Sequence, residues 1–493
     1  MLFSSTTFLF LFLPVTLMLY YAVPRTKGNV KKSGHTLRNF VLLFVSLIFY
    51  GWGEPIYIVL MLVSIFVGYV TGFMVYSPAS ADTAEAAEPH KTGKSGRAKA
   101  GLLIALIYNI GVLAVFKYTD FFIENLNNWF GLDISLLKLA LPLGISFYSF
   151  QMMSYTIDVY RSDAKLQRNF ISLAAYLTLF PQLIAGPIVR YQTVADQIDE
   201  RRESFDDFSR GVCRFVAGLG KKVLLANTIG ELYTTLSVLP PEENSVCLAW
   251  LASFAFTFQI YFDFSGYSDM AIGLGKMFGF SFLENFNYPY ISKSITEFWR
   301  RWHISLSSWF RDYVYIPLGG SRAGTAKTVR NIFIVWFLTG FWHGAAWNFI
   351  IWGLYFFVLL MIEKLFLLKR LSKCPSWMQH VYTLFFVNLS WVIFSYDSLG
   401  TLQNALKNMF GFGGLPFYNT MTGYYMLAYL TIFIILILAS TPYPKQLYGK
   451  WVLADKKEIA SSVLQAVLAF FVLFLSTACL ASDSFNPFLY FRF

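Results

Sequence analysis

Long apolar runs separated by short polar or charged stretches make up most of this chain. Several runs approach or exceed about 20 residues, the length an α-helix needs to cross about 30 Å of hydrocarbon. Proline interrupts few of them, Pro14 and Pro142 being exceptions, and the runs lack the strict alternation of a transmembrane β-strand. The pattern predicts an all-α polytopic membrane protein, a single domain over residues 1–493, with about 10–12 transmembrane helices.

The positive charges between the runs predict the orientation, because Lys and Arg concentrate in cytoplasmic loops. The basic loop after the first run, which includes Arg38, is expected on the cytoplasmic side. Residues 77–101, rich in Ala, Gly and Lys, are predicted to be a flexible cytoplasmic loop. Counting crossings from these loops places both termini outside, with residues 483–493 as an extracytoplasmic tail. Within this tail, the aromatic residues 486–493 are a candidate docking surface for a partner, or else they pack at the membrane interface.

Three apolar segments do not fit simple crossings. Residues 169–189 have no charge but arginines on both flanks, which predicts a re-entrant hairpin that turns at Pro181 and Gly186-Pro187. Residues 331–362 are too long for one untilted span and are expected to bend near Gly344. The span over residues 215–230 is the least certain, because it contains Lys221 and Lys222.

Composition narrows the function classes. The chain is 56% hydrophobic and only 14% charged, which excludes an ordinary soluble protein. Its net charge of +11 comes from cations clustered between apolar runs, as orientation signals are, so nucleic-acid binding is not expected. The four cysteines are far apart and indicate neither a disulfide framework nor a metal site. The N-terminal run is interpreted as a retained first helix rather than a signal peptide.

One histidine lies where an ionisable side chain is costly. His343 falls within residues 331–362, which contain no Asp, Glu, Lys or Arg. Counting from Asn331 at 1.5 Å per residue places it roughly 18 Å deep, near the midplane of a bilayer. A neutral imidazole there could accept a proton from a hydroxyl group. The alternative is a buried histidine that hydrogen-bonds between helices.

A second histidine, His303, follows a dense basic segment. Arg300, Arg301 and Arg311 surround it in sequence and could attract an anionic ligand, such as the phosphates of a nucleotide-linked acyl donor. The same Trp-Arg-Arg-Trp-His pattern is also typical of an interfacial amphipathic helix. Residues 294–348 therefore form the core motif region of the chain.

Two acids lie close together in an apolar segment. Asp263 and Asp269 could orient a histidine or could be polar residues that pack helices. Two function classes remain open at this point. One is an enzyme that uses a midplane histidine, and the other is a transporter or lipid translocator with a polar pathway.

The same residues resemble the membrane-bound O-acyltransferase family, in particular its alginate O-acetyltransferase-like bacterial branch. The similar segments are residues 142–151, 180–188, 263–271, 284–290, 294–320, Phe341-Trp342-His343-Gly344 and residues 486–491. The resemblance implies a ring of helices with opposed funnels that meet at the catalytic residue. By this resemblance, His343 matches the catalytic histidine of the family and His303 matches its second position, so both are predicted to be catalytic. The candidate substrate-binding residues of the chain are Arg300, Arg301, Arg311 and Trp342.

The resemblance also implies a reaction and partners. An acetyl group from a cytoplasmic donor, acetyl-CoA, would cross the bacterial cell membrane for O-acetylation of an exported polysaccharide. No bound cofactor is implied. The acceptor in this branch is an extracytoplasmic partner of the SGNH-hydrolase type. The rival within the family is a D-alanyl transferase, which takes its acyl group from a carrier protein. Chains of that transferase are shorter, and their sequences match residues 294–320 less well.

Overall fold

A computed structural model describes residues 1–24, 33–76, 95–184, 186–322, 324–454, 458–482 and 489. All regular secondary structure in these ranges is helical, as the hydrophobic pattern predicts. The chain divides into two compact units, Met1–Val212 with Ala271–Leu283, and Cys213–Met270 with Glu284–Phe493. Residues 77–94 of the predicted flexible loop lie outside the described residues, as does the predicted tail apart from Leu489.

The first unit contains eight helices in its described residues before the chain passes to the second unit. They are α1 (Phe8–Ala22), α2 (Ser33–Gly51), α3 (Ile58–Val75), α4 (Gly96–Phe130), α5 (Ile145–Arg161), α6 (Phe170–Thr178), α7 (Phe180–Leu183) and α8 (Tyr191–Glu200). The predicted loop over residues 77–101 ends earlier than expected, because α4 begins at Gly96. Its start is fixed by Ser95, whose side chain accepts a hydrogen bond from the amide of Ala98 at 3.2 Å.

Helices α9 (Phe205–Gly220) and α11 (Val246–Met277) each contribute residues to both units, and α10 (Thr228–Ser237) belongs to the second. The remaining helices of the second unit are α12 (Ile295–Arg301), α13 (Ile304–Phe310), α14 (Thr325–His343), α15 (Trp347–Leu371), α16 (Ser376–Ser395), α17 (Leu399–Met409), α18 (Thr420–Ala428), α19 (Leu430–Ala439), α20 (Tyr443–Ala454) and α21 (Glu458–Ser482). Shorter π-helical segments, Lys221–Asn227 and Arg311–Tyr315, join α9 to α10 and extend α13.

Five helices in the described ranges are long and apolar enough to cross a membrane, or six if the bent pair α18 and α19 forms one span. The five are α3, α4, α11, α15 and most of α21. The chain is therefore an all-α multi-pass membrane protein. The larger number of crossings predicted from the sequence depends on shorter apolar helices such as α1 and α2.

The segment over residues 169–189 folds back on itself. Its helix α6 has nine residues, which is too short to cross about 30 Å of hydrocarbon. The chain breaks at Leu179, and the hydroxyl of Tyr176 donates a hydrogen bond to the carbonyl of Val189 at 2.8 Å. The chain before Leu179 and the chain after it therefore lie side by side at this hydrogen bond, as a re-entrant hairpin requires. Entry into the bilayer stays a prediction.

A buried ionic cluster organises the first unit. Arg38, which the sequence places in a basic loop, forms an ion pair of 2.8 Å with Glu203, and both side chains are 5% exposed. Tyr20 donates a hydrogen bond of 2.6 Å to the same carboxylate and accepts one of 2.9 Å from Arg201. Each buried charge thus has a partner, which burial requires.

Candidate active site

His343 stands at the tip of a helical hairpin in the second unit. Helix α14 ends at His343 because Gly344 has an extended backbone, and α15 begins at Trp347 after a turn whose last residue, Ala346, is also extended. The bend predicted near Gly344 is confirmed. The imidazole of His343 therefore lies at the end of α14. Its orientation is set by the side chains packed around the tip of the hairpin.

The two helices of this hairpin approach closely at two glycines. A Cβ atom added to Gly340 would collide with the carbonyl oxygen of Phe349, and one added to Gly353 would collide with that of Trp336. The helices therefore reach this separation only because both positions lack a side chain. The close packing of α14 against α15 fixes the position of the tip.

Aromatic rings surround the imidazole of His343, which is 7% exposed. Its centroid lies 5.0 Å from Trp352 and 5.3 Å from Phe394, both nearly perpendicular to it, and 5.0 Å from Trp342. Rings at these distances and angles pack favourably edge to face. They restrict the imidazole to a narrow range of orientations.

His303 occupies a strained position between α12 and α13. Its backbone is left-handed, with φ of 45° and ψ of 54°, a conformation that costs a non-glycine residue about 1–3 kcal/mol. Hydrogen bonds on both sides hold this backbone. The Ile304 amide donates to the carbonyl of Asn285 at 3.0 Å, and the Asn287 amide donates to the carbonyl of Arg301 at 2.9 Å. Such strain is concentrated at functional sites.

Asn285 fixes the side chain of His303. Its Oδ1 accepts hydrogen bonds from the amide and the hydroxyl of Ser305, at 3.2 and 2.8 Å, and lies 3.1 Å from Nδ1 of His303. The backbone N–H of Ser305 can only donate, so the side-chain atom of Asn285 that it contacts must be the oxygen and not the nitrogen. An oxygen that only accepts requires a proton on Nδ1 of His303. The remaining ring nitrogen, Nε2, is therefore unprotonated in the neutral ring.

The imidazole of His303 is 1% exposed, and this burial lowers its pKa to about 3. The ring is consequently neutral at physiological pH. Its Nε2 forms no hydrogen bond within the described part of the chain. His303 thus offers an unoccupied hydrogen-bond acceptor inside the protein.

Both histidines line one small cavity, which we call the histidine cavity. Its volume of about 20 Å³ is enough for about one water molecule. Its other walls are Ile260, Asp263, Phe264, Trp302, Trp352, Trp391, Phe394 and Leu489. Two residues far apart in sequence therefore meet, and His303 is grouped with His343 rather than with the neighbouring arginines.

Asp263 is the acidic residue of the histidine cavity, and its carboxylate has two partners. Oδ1 forms a buried ion pair of 2.7 Å with Nζ of Lys222, and Oδ2 accepts a hydrogen bond of 3.0 Å from the amide of Leu489. Lys222 also donates to Oδ1 of Asn227 at 2.8 Å. The lysine that made this span uncertain in the sequence is therefore neutralised by the acid.

Asp269 has a different role from Asp263. It pairs with Lys221 at 2.7 Å and with Arg214 at 2.6 Å, and it is not among the walls of the histidine cavity. It links α9 and the following segment to α11. Asp269 is therefore a helix-packing residue, the alternative that the sequence left open for both acids.

Leu489 belongs to the predicted extracytoplasmic tail, yet it is 6% exposed. Its side chain forms part of the wall beside both histidines, and its amide is held by Asp263. This side chain is not available as a docking surface. The rest of the tail lies outside the described residues, so its proposed docking role stays a prediction.

Two of the three predicted arginines share a second cavity, which we call the arginine cavity. It has a volume of about 270 Å³, and its walls include Arg300 and Arg311 together with the apolar residues Trp299, Phe310 and Trp336. Arg311 also pairs with Asp312 at 2.7 Å. The cavity combines two guanidinium groups with aromatic walls.

Arg301 does not join the other two arginines. It forms an ion pair of 2.9 Å with Glu297 and donates a hydrogen bond of 3.1 Å to the carbonyl of Asn287. These contacts stabilise α12 and the loop that holds His303. The structure therefore places Arg301 among supporting residues rather than in the arginine cavity.

Three indoles, which we call the tryptophan wall, lie between the two cavities. Trp299 and Trp336 line the arginine cavity, whereas Trp352 lines the histidine cavity. Their ring centroids are 4.6 Å apart for Trp299 and Trp336, and 5.6 Å apart for Trp299 and Trp352. Trp342, the fourth predicted substrate-binding residue, is not part of this wall. Its ring centroid lies 5.0 Å from that of His343 and 6.3 Å from that of His303.

Comparison with known proteins identifies the chain. The sequence model of the membrane-bound O-acyltransferase family matches residues 164–402. A Pseudomonas aeruginosa protein named probable alginate O-acetylase is 42% identical over 417 residues, covering 84% of this chain and 75% of the relative. The chain belongs to the membrane-bound O-acyltransferase family. It is therefore an acyltransferase, as the resemblance implied.

Two further relatives show how wide this family is. The peptidoglycan O-acetyltransferase of Helicobacter pylori is 33% identical, covering 84% of this chain and 81% of the relative. The teichoic acid D-alanyltransferase of Bacillus subtilis is 30% identical over a shorter stretch, 48% of this chain and 62% of the relative. The acyl groups and the polymers named for these family members thus differ.

Proposed function

We propose that this acyltransferase moves an acetyl group from cytoplasmic acetyl-CoA across the cell membrane, for O-acetylation of an exported or cell-surface polysaccharide. The observation that carries the proposal is the joint placement of two histidines in one cavity with an arginine-lined cavity beside it. The acetyl group and the polymer acceptor rest on the relatives named alginate O-acetylase and peptidoglycan O-acetyltransferase.

In the proposed reaction, His343 is the general base. It accepts the proton of an acceptor hydroxyl while the oxygen attacks the thioester carbonyl carbon. A carbon–oxygen bond forms, the carbon–sulfur bond breaks, and the proton passes from His343 to the leaving thiolate. His303 contributes the Nε2 lone pair, which accepts a hydrogen bond and orients either the hydroxyl or the partner imidazole. Removal of water from this small cavity favours the acyl acceptor over hydrolysis.

The donor occupies the arginine cavity in this proposal. Arg300 and Arg311 provide charge for the phosphates of a coenzyme A thioester, and guanidinium groups bind phosphate oxygens well. The apolar walls suit the uncharged arm that carries the thioester. Trp299, at the boundary between the cavities, would have to shift to admit the acetyl group. Arg301 has no place in this donor site.

The proposed setting is the bacterial cell membrane, with both termini outside and the basic segments inside. An extracytoplasmic partner of the SGNH-hydrolase type would complete the modification of the polysaccharide. Transfer of D-alanine from a carrier protein is the second candidate, favoured by the match to a teichoic acid D-alanyltransferase. Membership in an acyltransferase family favours either reaction over the transporter or translocator that the sequence left open.

The direct test uses inside-out membrane vesicles and acetyl-CoA labelled in the acetyl group. We expect label to reach the lumen or a luminal acceptor with the unmodified protein and not with His343→Ala at equal membrane content. The double variant Arg300→Gln/Arg311→Gln should raise the KM for acetyl-CoA about tenfold or more. Arg301→Gln is the matched control for lost positive charge.

Transfer by His343→Ala equal to that of the unmodified protein would remove His343 from the chemistry. A different outcome is that the unmodified protein transfers no label from acetyl-CoA but transfers the acyl group of an acylated carrier protein. That result would establish the carrier-dependent reaction. A KM effect of Arg301→Gln as large as that of the double variant would contradict the donor site, because charge alone would then explain it.

A further inference from the structure

Trp352, a wall of the histidine cavity, carries a buried hydrogen-bond donor. The residue lies on α15 and is only 1% exposed. Its indole Nε1–H forms no hydrogen bond within the described part of the chain. An indole N–H can only donate, and a buried donor without an acceptor lowers the stability of the folded protein. A catalytic role is one of the physical reasons for which such an atom is retained.

Trp352 lies between the proposed general base and the donor site. Its ring centroid is 5.0 Å from that of His343, and the two rings are nearly perpendicular, at 86°. It also packs on Trp299 at 5.6 Å and on Trp336 at 6.3 Å, and both of these indoles line the arginine cavity. A thioester that moves from the arginine cavity to His343 therefore passes beside Trp352.

Close packing holds the ring of Trp352 in place. It is stacked on Trp391 at 6.2 Å and 27°, and it meets Phe356 edge to face at 5.2 Å and 81°. The next residue, Gly353, is the point where a Cβ atom would collide with the carbonyl oxygen of Trp336. A donor held in this way needs no reorganisation during a reaction, which is what makes electrostatic stabilisation effective.

The proposed reaction needs a donor in this cavity. When the acceptor hydroxyl attacks, negative charge develops on the thioester carbonyl oxygen, and N–H groups that are already in place stabilise this charge. His303 offers the lone pair of Nε2, and His343 acts as a base, so both accept rather than donate when the attack begins. Asp263, the acidic wall, is an acceptor as well. The donor therefore has to be a different group.

A second indole, that of Trp391, also lines the histidine cavity. Its N–H forms no hydrogen bond of good geometry either, but it interacts with the hydroxyl of Tyr290. That hydroxyl in turn donates to the carbonyl of Thr257 at 2.5 Å. Trp391 is thus connected to a structural network, and Trp352 is the stronger candidate for the donor.

We propose that the indole N–H of Trp352 donates a hydrogen bond to the thioester carbonyl oxygen and stabilises its negative charge. This proposal rests on the proposed acyl transfer and adds a catalytic residue to it. As the acceptor oxygen bonds to the carbonyl carbon, the π electrons move to the carbonyl oxygen and His343 takes the hydroxyl proton. As the carbon–sulfur bond breaks, the carbonyl re-forms, and the thiolate receives the proton from His343. The indole proton stays on Trp352 throughout.

This role and a structural role predict different effects on stability. The N–H of Trp352 makes no hydrogen bond in the described part of the resting chain. Its removal without a change of ring shape therefore breaks no contact and should not lower the melting temperature. A residue that served only to hold the fold would instead lose stability together with activity.

The test replaces the indole of Trp352 by benzothiophene, in which a sulfur atom takes the place of the N–H. In the vesicle assay, kcat should fall about 100-fold or more, the usual loss when one oxyanion donor is removed. The KM for acetyl-CoA should change little, because the interaction is made in the transition state. The melting temperature in detergent should be unchanged or higher. Trp352→Phe should show the same loss of kcat but a lower melting temperature, because the smaller ring leaves a void.

The matched control is the same replacement at Trp250. Its indole N–H donates to the carbonyl of Met409 at 2.7 Å, and Trp250 is a wall of neither the histidine cavity nor the arginine cavity. The control therefore loses a hydrogen bond that is present in the fold. We expect a lower melting temperature and an unchanged kcat, the opposite of the pattern expected at Trp352.

Two results would overturn the role of Trp352. One is a kcat of the benzothiophene variant equal to that of the unmodified protein or reduced as much as in the Trp250 control. The other is a loss of kcat at Trp352 that is accompanied by a melting temperature as low as that of the control, which would make the residue structural.

Failure of this proposal and failure of the proposed function give different results. Acetyl transfer that the Trp352 replacement leaves unchanged would retain the function and remove the oxyanion donor. No acetyl transfer by the unmodified protein would remove the function. The same replacement is then measured with an acylated carrier protein, whose thioester carbonyl needs the same donor. A loss of kcat with that donor would retain the role of Trp352, and an unchanged or absent transfer would remove it.

Discussion

Asn285 holds the imidazole of His303 through a 3.1 Å contact between its Oδ1 and Nδ1 of the ring, and the same oxygen is held by Ser305. This relationship decides which nitrogen of His303 is protonated and which one is available as an acceptor. In the proposed reaction Asn285 is therefore a positioning residue, since it would act only through His303.

We expect Asn285→Ala to lower kcat by about 10–100-fold with little change in KM for the donor, because the ring loses its fixed tautomer and orientation. Asn285→Asp should keep an acceptor for Ser305 but favour the imidazolium, and activity should then decrease as pH falls. Asn287→Ala is the control, since this exposed neighbour contributes backbone bonds to the loop. Identical pH profiles for Asn285→Asp and the unmodified enzyme would contradict this role.

The buried ion pair between Lys222 and Asp263 should dominate the stability of the histidine cavity. Lys222→Met leaves a buried carboxylate without its cation, which costs about 3–5 kcal/mol. The double variant Lys222→Met/Asp263→Asn should recover most of this loss, because no charge remains and the Asn oxygen still accepts from Leu489. Thermal unfolding in detergent measures both. A double variant as unstable as Lys222→Met would show that the pair is not the cause.

The glycines of the α14–α15 hairpin make a second stability prediction. Gly340→Ala should destabilise the protein by about 1–3 kcal/mol, the usual cost of overpacking, since its Cβ meets the backbone oxygen of Phe349. Gly111→Ala, a helical glycine with open space around it, should instead be neutral or slightly stabilising. The same unfolding measurement compares the two. Equal melting temperatures would mean that the hairpin relaxes without cost.

Glu363 supports the helix that precedes His303. Its carboxylate accepts hydrogen bonds from the amides of Ile295 and Thr296, at 2.7 and 2.8 Å, at the start of α12. Glu363→Leu leaves these buried donors unpaired, at about 1–3 kcal/mol each, and should displace His303 and lower kcat. Glu363→Gln retains an acceptor oxygen and should cause a smaller loss of both stability and kcat. Thermal unfolding in detergent and the vesicle transfer assay measure these two quantities. Full activity of Glu363→Leu would show that α12 is held by other contacts.

Leu489 makes a prediction about acyl length that depends on the proposed reaction. Its side chain fills space beside both histidines in a cavity of only about 20 Å³. Leu489→Ala should raise the ratio of butyryl to acetyl transfer about tenfold, within the range of a pocket that gains methylene-sized space. Leu489→Met, similar in volume, is the control and should keep the preference for acetyl. An unchanged ratio for Leu489→Ala would exclude this residue from acyl selection.

The sequence predicted this fold well where long-range contacts were not needed. Apolar runs located the helices, and the bend at Gly344 followed from a segment too long for one span. Asn285 could not be assigned a role, although it lies in a recognised motif, because its contact with His303 depends on a loop that brings residues 285 and 303 together.

The charged residues show the same limit. Lys221 and Lys222 made a span uncertain, and Asp263 and Asp269 were ambiguous, because a sequence does not show which charge neutralises which. The three neighbouring arginines could not be separated either. Their side chains leave different faces of short helices, so Arg300 and Arg311 meet in a cavity whereas Arg301 pairs with Glu297.

The tryptophan wall has a consequence for the cell as well as for the chemistry. A membrane enzyme that receives its substrates from two sides risks becoming a leak, through which protons would dissipate the membrane potential. The indoles between the arginine and histidine cavities have ring centroids only 4.6 and 5.6 Å apart, and we expect this packing to interrupt a column of water between the two cavities. In the proposed reaction, the acetyl group would then cross the membrane while the electrochemical gradient is preserved.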